Sequence, residues 1–151
     1  MKKLLLFLIV ISIGLVSKAQ LTITNNTCVT IYVNVLAHNN TYSNCADMIS
    51  ATPYPVTGGG GQQVIVVPQF IGNAYVGSSY PTSYPVGSTG VFDGLKFGAE
   101  DGLGCNEYVA IGNCGSLSTT FMGSCHFCGM SNFTASWVEL TPGTIDVTFN
   151  N

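Results

Sequence analysis

The sequence predicts an all-β fold: a disulfide-stapled antiparallel β-sandwich whose strand topology the pattern leaves open. Three observations predict it. Short segments alternate apolar and polar residues with the period of a strand. Turn-forming residues separate them, with 18 glycines and 6 prolines in 151 residues. Six cysteines add the composition of a small exported domain. Together these features favour two packed sheets over any helical architecture.

The strand prediction is clearest at the two ends of the chain. Near the start, Ile31, Val33 and Val35 fall on one face of a strand, and at the end a Thr-Pro-Gly turn at 141–143 predicts a hairpin. One segment, 44–50, is compatible with a helical turn. We expect seven to nine strands, and the best candidates are 21–24, 28–36, 64–67, 74–76, 108–111, 117–121, 135–140 and 144–149.

The first nineteen residues have the pattern of a signal peptide. Lys2 and Lys3 precede an apolar run over residues 4–16, and Ser17-Lys18-Ala19 then places small residues where signal peptidase cleaves. A membrane anchor is the alternative, but the run is shorter than the ~20 apolar residues that a spanning helix needs. Cleavage before Gln20 is therefore expected.

Cleavage at this position divides the chain into two parts. Residues 1–19 form the signal peptide, and residues 20–151 form a single secreted β-sandwich domain with no transmembrane segment. We expect a bacterial protein that is released or held at the cell surface, with the periplasm as an alternative location. Such a compartment is oxidising, which fits the cysteine content.

The secreted part carries almost no positive charge. Of four basic residues only Lys96 lies beyond residue 19, against all seven acidic residues, which leaves a formal charge of −6. One cation cannot neutralise a phosphate backbone, so nucleic-acid binding is excluded, as is attraction to anionic lipid. The surface is instead built from Ser, Thr, Asn, Gln, Gly and Tyr. It is hydrated but weakly self-repelling, which suits association with copies of itself or with uncharged polymers.

Six cysteines in an exported chain predict three disulfides. We favour a bond between the first two and pairing of the other four among themselves, although fifteen pairings are open. The string Cys-His-Phe-Cys at 125–128 is also compatible with a redox or zinc site, but a disulfide in a tight loop is the preferred interpretation. The predicted disulfide residues are Cys28, Cys45, Cys105, Cys114, Cys125 and Cys128.

Two groups of residues are candidates for ligand binding. Tyr54, Tyr80 and Tyr84 fall in segments rich in Pro, Gly and Ser, where exposed rings beside neutral hydrogen-bonding groups can hold a polysaccharide. Ordinary packing of loops over the ends of the sandwich is the alternative. The acidic group consists of Asp93, Glu100, Asp101 and Glu107.

These four carboxylates lie in a glycine-rich stretch. Extracellular Ca²⁺ prefers such oxygen ligands, although the spacing does not follow an EF-hand. A glycosidase pair and simple solvation of a loop are the alternatives. His38, followed by two asparagines and a threonine, is typical of an exposed loop. No nucleophile elbow, HExxH motif or phosphate-binding loop is present in the sequence, so we expect a protein that is not an enzyme and needs no cofactor unless Ca²⁺ binds.

The first strand resembles a known family. The string Ile-Thr-Asn-Asn-Thr-Cys-Val-Thr-Ile-Tyr at 23–32 is similar to the opening strand of thaumatin-like proteins, with Cys28 displaced by one position. That resemblance implies a disulfide-rich β-sandwich, and some members bind β-glucans. It covers about ten residues, and no functional residue of the family aligns here. Immunoglobulin-like, jelly-roll and thaumatin-like topologies all stay open.

The resulting expectation is a non-enzymatic interaction protein, a structural, adhesive or assembly subunit that binds a protein partner or itself. A carbohydrate-binding module that uses the loop tyrosines is the alternative. A secreted glycan hydrolase that uses carboxylates between Asp93 and Glu107 is the third hypothesis.

Overall fold

The computed structural model describes residues 19–39, 48–49, 53–66, 74–75, 90–99, 109–123 and 133–151. These residues form strands, turns and bends without helix, which confirms the prediction of an all-β fold. The strands are β1 (Gln20–Asn25), β2 (Ile31–Asn39), β3 (Met48–Ile49), β4 (Tyr54–Val56), β5 (Gly61–Val66), β6 (Ala74–Tyr75), β7 (Gly90–Ala99), β8 (Val109–Gly112), β9 (Thr120–Gly123), β10 (Phe133–Thr141) and β11 (Thr144–Asn150). The described part of the chain contains no helix long and apolar enough to cross a membrane.

A five-stranded sheet contains the first and the last strand, β1 and β11. Its strand order is β5-β1-β11-β10-β9. The hairpin β10–β11 forms at the predicted turn, where Gly143 has a φ of 81° that suits glycine. The first strand pairs with the last in parallel, from Gln20 opposite Thr144 to Asn25 opposite Phe149. The prediction of a purely antiparallel fold is therefore wrong at this pair, because no hairpin connects β1 to β11 and their direction is free.

The second sheet has six strands and is built around the pair β2–β7. Its order is β6-β3-β2-β7-β8, and β4 also pairs with β2. The register of β2 against β7 shifts between Leu36 and Ala37, which face Gly94 and Phe92. Asp93 is therefore the extra residue of a β-bulge, a feature that redirects a side chain locally.

The two sheets pack through one hydrophobic core. Strand β2 contributes Ile31, Val33 and Val35, which are at most 1% exposed, so the predicted alternation of this strand is confirmed. The centre is a cluster of four phenylalanines. Phe97 of the six-stranded sheet contacts rings of the other sheet at centroid distances of 5.0 to 5.8 Å. The cluster is Phe97, Phe121, Phe133 and Phe149.

A buried asparagine organises the turn between β1 and β2. Asn25 is 0% exposed, and its amide donates to the carbonyls of Val29 and Val56 at 2.8 and 2.7 Å. Its Oδ1 accepts from the backbone N–H and the hydroxyl of Thr27. The Gly-rich turn after β4 fits against the same place, since Gly59 N–H donates to the Thr27 carbonyl. The Asn-Asn-Thr string therefore stabilises the turn between β1 and β2 through these hydrogen bonds.

Several predicted element boundaries are corrected. The segment 44–50 is compatible by sequence with a helical turn, but its Met48–Ile49 form strand β3 beside β2. Strand β4 replaces part of a predicted loop, and β7, the longest strand at 10 residues, was not predicted at all. Its three glycines, Asp93 and Lys96 give it a low intrinsic strand preference.

Candidate functional site

The five-stranded sheet turns one face to the core and the other to solvent. Along β1, β10 and β11 buried residues alternate with partly exposed ones, as the pleat requires. The strand register then aligns the outward side chains in rows across the sheet. The longest row is Gln62, Thr24, Thr148, Ser136 and Thr120, one residue from each strand.

These outward side chains are polar and almost uncharged. We call the following set the polar face: Thr22, Thr24, Gln62, Thr120, Thr134, Ser136, Thr148 and Asn150. Gln62 Nε2 donates to the Thr24 hydroxyl at 3.2 Å. Asn150 Oδ1 accepts from the Asn26 amide at 2.8 Å. Within the strands of this sheet, Asp146 and Glu139 are the only charged residues.

Hydrophobic side chains border the polar face. Val64 on β5 and Val138 on β10 are 44% and 49% exposed, and they lie in the same cross-strand row as Thr22 and Asp146. Met122 on β9 is 80% exposed and lies opposite Thr134. The polar face is therefore a neutral hydrogen-bonding surface with three exposed hydrophobic side chains at its borders.

A second site lies on the face of the six-stranded sheet that points away from the core. Ala37 and Phe92 are paired in the core, so their neighbours His38 and Asp93 project from the opposite face. His38 Nδ1 lies 2.7 Å from Oδ1 and 2.9 Å from Oδ2 of Asp93. Because a carboxylate only accepts, Nδ1 carries the proton of this bond. The Asp93 side chain is 1% exposed and that of His38 is 16% exposed.

Paired glycines make room for the loop that covers this site. Gly94 of β7 and Gly112 of β8 lie opposite each other. A Cβ on Gly94 would lie 2.7 Å from Leu117 Cδ1 and against the Ile111 carbonyl. The loop from residue 113 to 118 therefore packs directly on the backbone of these two glycines. The backbone N–H of Asn113, in this loop, donates to the Asp93 carbonyl at 3.1 Å.

The same loop brings Cys114 to the His–Asp pair. One ligand atom each from His38, Asp93 and Cys114 lie within 4.8 Å of one another. Cys114 is disulfide-bonded, so its sulfur is not a free thiolate in this structure. The arrangement is a histidine fixed by a buried carboxylate and placed beside a disulfide sulfur.

Of the three tyrosines predicted to bind a ligand, Tyr54 is among the described residues. Tyr54 belongs to strand β4, opposite Val33, and packs against the core, so its predicted position in an exposed loop is wrong. Burial raises the pKa of its phenol. Val56, two residues along the same strand, is fully buried, so Tyr54 lies on the side of the strand that faces the core. Tyr80 and Tyr84 lie outside the described residues, and their role in ligand binding stays a prediction.

The predicted acidic site is also divided. Asp93 is buried in strand β7 and both of its oxygens are hydrogen-bonded to His38, so it is not a carboxylate of an exposed loop as the prediction assumed. Glu100, Asp101 and Glu107 lie outside the described residues, so the calcium site stays a prediction.

Two of the six predicted disulfide residues are described. Cys28 and Cys114 are both disulfide-bonded, and neither is a free thiol. Cys45, Cys105, Cys125 and Cys128 lie outside the described residues, so the pairing and the number of disulfides stay predictions.

Comparison with protein-family models, with curated proteins and with solved structures gave no match in any of the three. A function for this chain is therefore inferred from its own geometry.

Sequence reasoning missed His38 and the polar face. His38 stands before a polar run that is typical of a loop, and only the bulge in β7 places Asp93 beside it. The polar face could have been found, since polar residues recur at every second position of the two end strands: Thr22 and Thr24 in β1, and Thr144, Asp146 and Thr148 in β11. Their parallel alignment requires the tertiary pairing of β1 with β11.

Proposed function

We propose that this protein is exported and acts outside the cytoplasm as a non-enzymatic interaction protein, which associates with a second copy of itself through the polar face. The observation that carries the proposal is the composition of this face. Its side chains offer hydroxyl and amide groups with one adjacent carboxylate, Asp146, and no cation.

Charge favours a second copy as the partner. The secreted part carries one basic and seven acidic residues, so most contacts between two copies would oppose like charges. The polar face itself contains no charged side chain, so Asp146 beside it is the main source of repulsion at this contact. A cationic partner would gain little there, because the face offers few carboxylates. A neutral face meeting its own copy satisfies hydrogen bonds without desolvating ions.

Disulfides complete the proposed sandwich. Cys28 lies in the exposed turn after β1, and Cys114 lies in the loop over β7 and β8. We propose that the disulfide of each cysteine holds its loop against the sheets, and that Cys45 is the partner of Cys28. Closing a loop of this length adds about 3 kcal/mol to the free energy of unfolding on the chain-entropy model.

The test is the oligomeric state of residues 20–151 over a range of concentrations, measured by sedimentation velocity. We expect a concentration-dependent dimer. Thr148→Glu places a carboxylate in the middle of the polar face and should raise the dissociation constant at least tenfold. Ser116→Glu is the matched control, because Ser116 is exposed in the loop of 113–118 and lies off the polar face.

Two results would contradict the proposal. One is a lone monomer at every concentration, without a co-purifying partner. The other is an equal effect of the two glutamate variants. If a different protein co-purifies and Thr148→Glu releases it, the face binds a partner rather than a second copy.

Carbohydrate binding is the second candidate, and the same neutral face supports it. Hydroxyl and amide side chains hydrogen-bond uncharged polymers, and the Thr–Ser–Gln row crosses all five strands. Tyr54 does not add to this proposal, because its ring packs against the core. Binding of residues 20–151 to a polysaccharide array that is lost in Thr148→Glu would favour this candidate. Loss in Tyr84→Ala alone would instead locate the site at the loop tyrosines.

A further inference from the structure

We propose that His38, Asp93 and Cys114 form a binding site for a thiophilic divalent cation, represented by Zn²⁺, once the disulfide of Cys114 is reduced. The proposal concerns the six-stranded sheet and does not depend on the function of the polar face. It begins from three different ligand types whose ligand atoms lie within 4.8 Å of one another.

The donor set matches a zinc site with an open position. Zinc takes imidazole nitrogen, carboxylate oxygen and thiolate sulfur in tetrahedral geometry, with bonds of about 2.0 to 2.3 Å. Ligand atoms around such an ion are about 3 to 4 Å apart, so the observed spacing requires shifts of about 1 Å. When the ion binds, His38 Nδ1 releases to solvent the proton of its bond to Asp93, and the ion takes the place of that proton between the two groups. Three protein ligands leave a fourth position for water, which is the usual arrangement of catalytic zinc.

The scaffold around the three ligands is rigid. Asp93 is fixed at the bulge of β7, His38 lies in β2, and Cys114 is fixed by the loop that packs on Gly94 and Gly112. The Asn113 N–H bond to the Asp93 carbonyl ties this loop to the bulge at 3.1 Å. His38 and Asp93, which are held on paired strands, lose little conformational entropy when an ion binds.

Reduction changes the charge of the site. A dithiol reductant transfers two electrons to the disulfide, the S–S bond breaks, both cysteines take up protons, and the reductant closes into its own disulfide. When Cys114 loses its proton, a thiolate stands beside the buried Asp93 carboxylate, with one imidazole as the third group. Two anions at this distance repel each other, and a divalent cation removes the repulsion. In the oxidised chain the sulfur is a poor ligand, so only His38 and Asp93 are available.

The experiment isolates the Cys114 thiol without a reductant. Mass spectrometry of non-reduced peptides identifies the cysteine bonded to Cys114, and that cysteine is replaced by serine in residues 20–151. We expect the oxidised variant to bind one Co²⁺, used as a probe for Zn²⁺, with a thiolate-to-cobalt charge-transfer band. His38→Ala or Asp93→Asn in this background should weaken binding at least tenfold.

The matched control is the variant in which the cysteine bonded to Cys28 is replaced by serine. It exposes one thiol that has no histidine or carboxylate from the cluster beside it, and it should bind Co²⁺ at least tenfold more weakly. Equal affinities of the two thiol variants would overturn the proposal, as would an unchanged affinity after His38→Ala.

The single tryptophan, Trp137, is 4% exposed and reports whether each variant is folded. If the first thiol variant is unfolded, the parent chain is treated with a phosphine reductant in steps and compared with Cys114→Ser. A thiolate–cobalt band of equal strength in both chains then overturns the proposal, and its loss in Cys114→Ser supports it.

Discussion

Asn25 illustrates how one polar side chain fixes the start of this fold. Its amide and carbonyl groups make four hydrogen bonds, two as donor and two as acceptor, within a fully buried site. The bonds reach the end of β1, the following turn and strand β4. Buried amides of this kind specify a structure because each lost bond leaves another buried group unpaired.

Replacing Asn25 should therefore destabilise the domain strongly. We expect Asn25→Ala to lower the free energy of unfolding by about 2–4 kcal/mol, because the carbonyls of Val29 and Val56 lose their donor. Asn26→Ala is the control: Asn26 is exposed and its side chain bonds Asn150, so its loss should stay below about 1 kcal/mol. Urea unfolding followed by Trp137 fluorescence measures both. Equal losses would show that the buried amide has no special role.

Tyr54 predicts a pH dependence at the alkaline end. Burial raises the pKa of its phenol in the folded state, so the folded chain holds this proton more tightly than the unfolded chain. Stability from this group is complete below the ordinary tyrosine pKa of about 10 and is lost as the pH rises above it. We expect a fall in the urea midpoint above that pH that is smaller in Tyr54→Phe. An identical fall in both chains would assign the effect to other groups.

At the level of elements, the bulge of β7 and the loop over it form one unit. Asp93 leaves the regular register, Gly94 and Gly112 bring two strands and Leu117 together, and Cys114 lies above the bulge. Each feature requires the others, because a side chain on either glycine would collide with the backbone opposite.

Gly94→Ala tests this unit. Its new Cβ would meet the Ile111 carbonyl and Leu117, so we expect a loss of about 1–3 kcal/mol and a displaced His38–Asp93 bond. The matched control is Gly123→Ala, whose Cβ meets the ring of Phe121 and no backbone atom, so that it can be accommodated by a side-chain movement without a backbone shift. Urea unfolding measures stability, and the NMR signal of the His38 Nδ1 proton measures the bond. A loss no greater than that of Gly123→Ala would contradict the prediction.

The elements differ in how far sequence could predict them. The alternation of β1 and the hairpin β10–β11 is a local property of the chain, and the structure confirms both. Strand β7 is different: Gly94 is there because Leu117 and the Ile111 carbonyl occupy the space of a side chain. The cause of this glycine is a tertiary contact. The local sequence contains glycines and charged residues, which do not indicate a strand. The His38–Asp93 pair depends on the same bulge and was hidden for the same reason.

For the whole molecule, the two sheets are joined by both packing and polar contacts. The phenylalanine cluster crosses the core. At the edge, Glu139 of the hairpin accepts from Asn113 at 3.3 Å and from the Gly143 N–H at 3.1 Å, which links the loop after β8 to the last turn. A molecule with so few charges uses this carboxylate as a hydrogen-bond acceptor.

The net charge predicts how salt affects association. Two copies of residues 20–151, each with one basic and seven acidic residues and so a formal charge of −6, repel at long range, while the polar face contributes no charged side chain to form ion pairs. Salt screens the repulsion, with a Debye length of ~30 Å at 0.01 M and ~10 Å at 0.1 M. We therefore expect the dimer dissociation constant from sedimentation to fall as salt is raised over this range. A rise would indicate ion pairs in the interface.

The parallel pairing of β1 with β11 determines when the domain can finish folding. Strand β1 lies between β5 and β11, and the side chains of Asn26 and Asn150, 124 positions apart, are hydrogen-bonded. Contacts between residues so distant in sequence close slowly, because a large loop must be ordered before they form. While the ribosome is still making the last strand, the first strand lacks one of its two neighbours and the sheet is open. We propose that the chain is exported, and export through a narrow membrane channel requires an unfolded polypeptide. The delay keeps the chain incompletely folded until its synthesis ends.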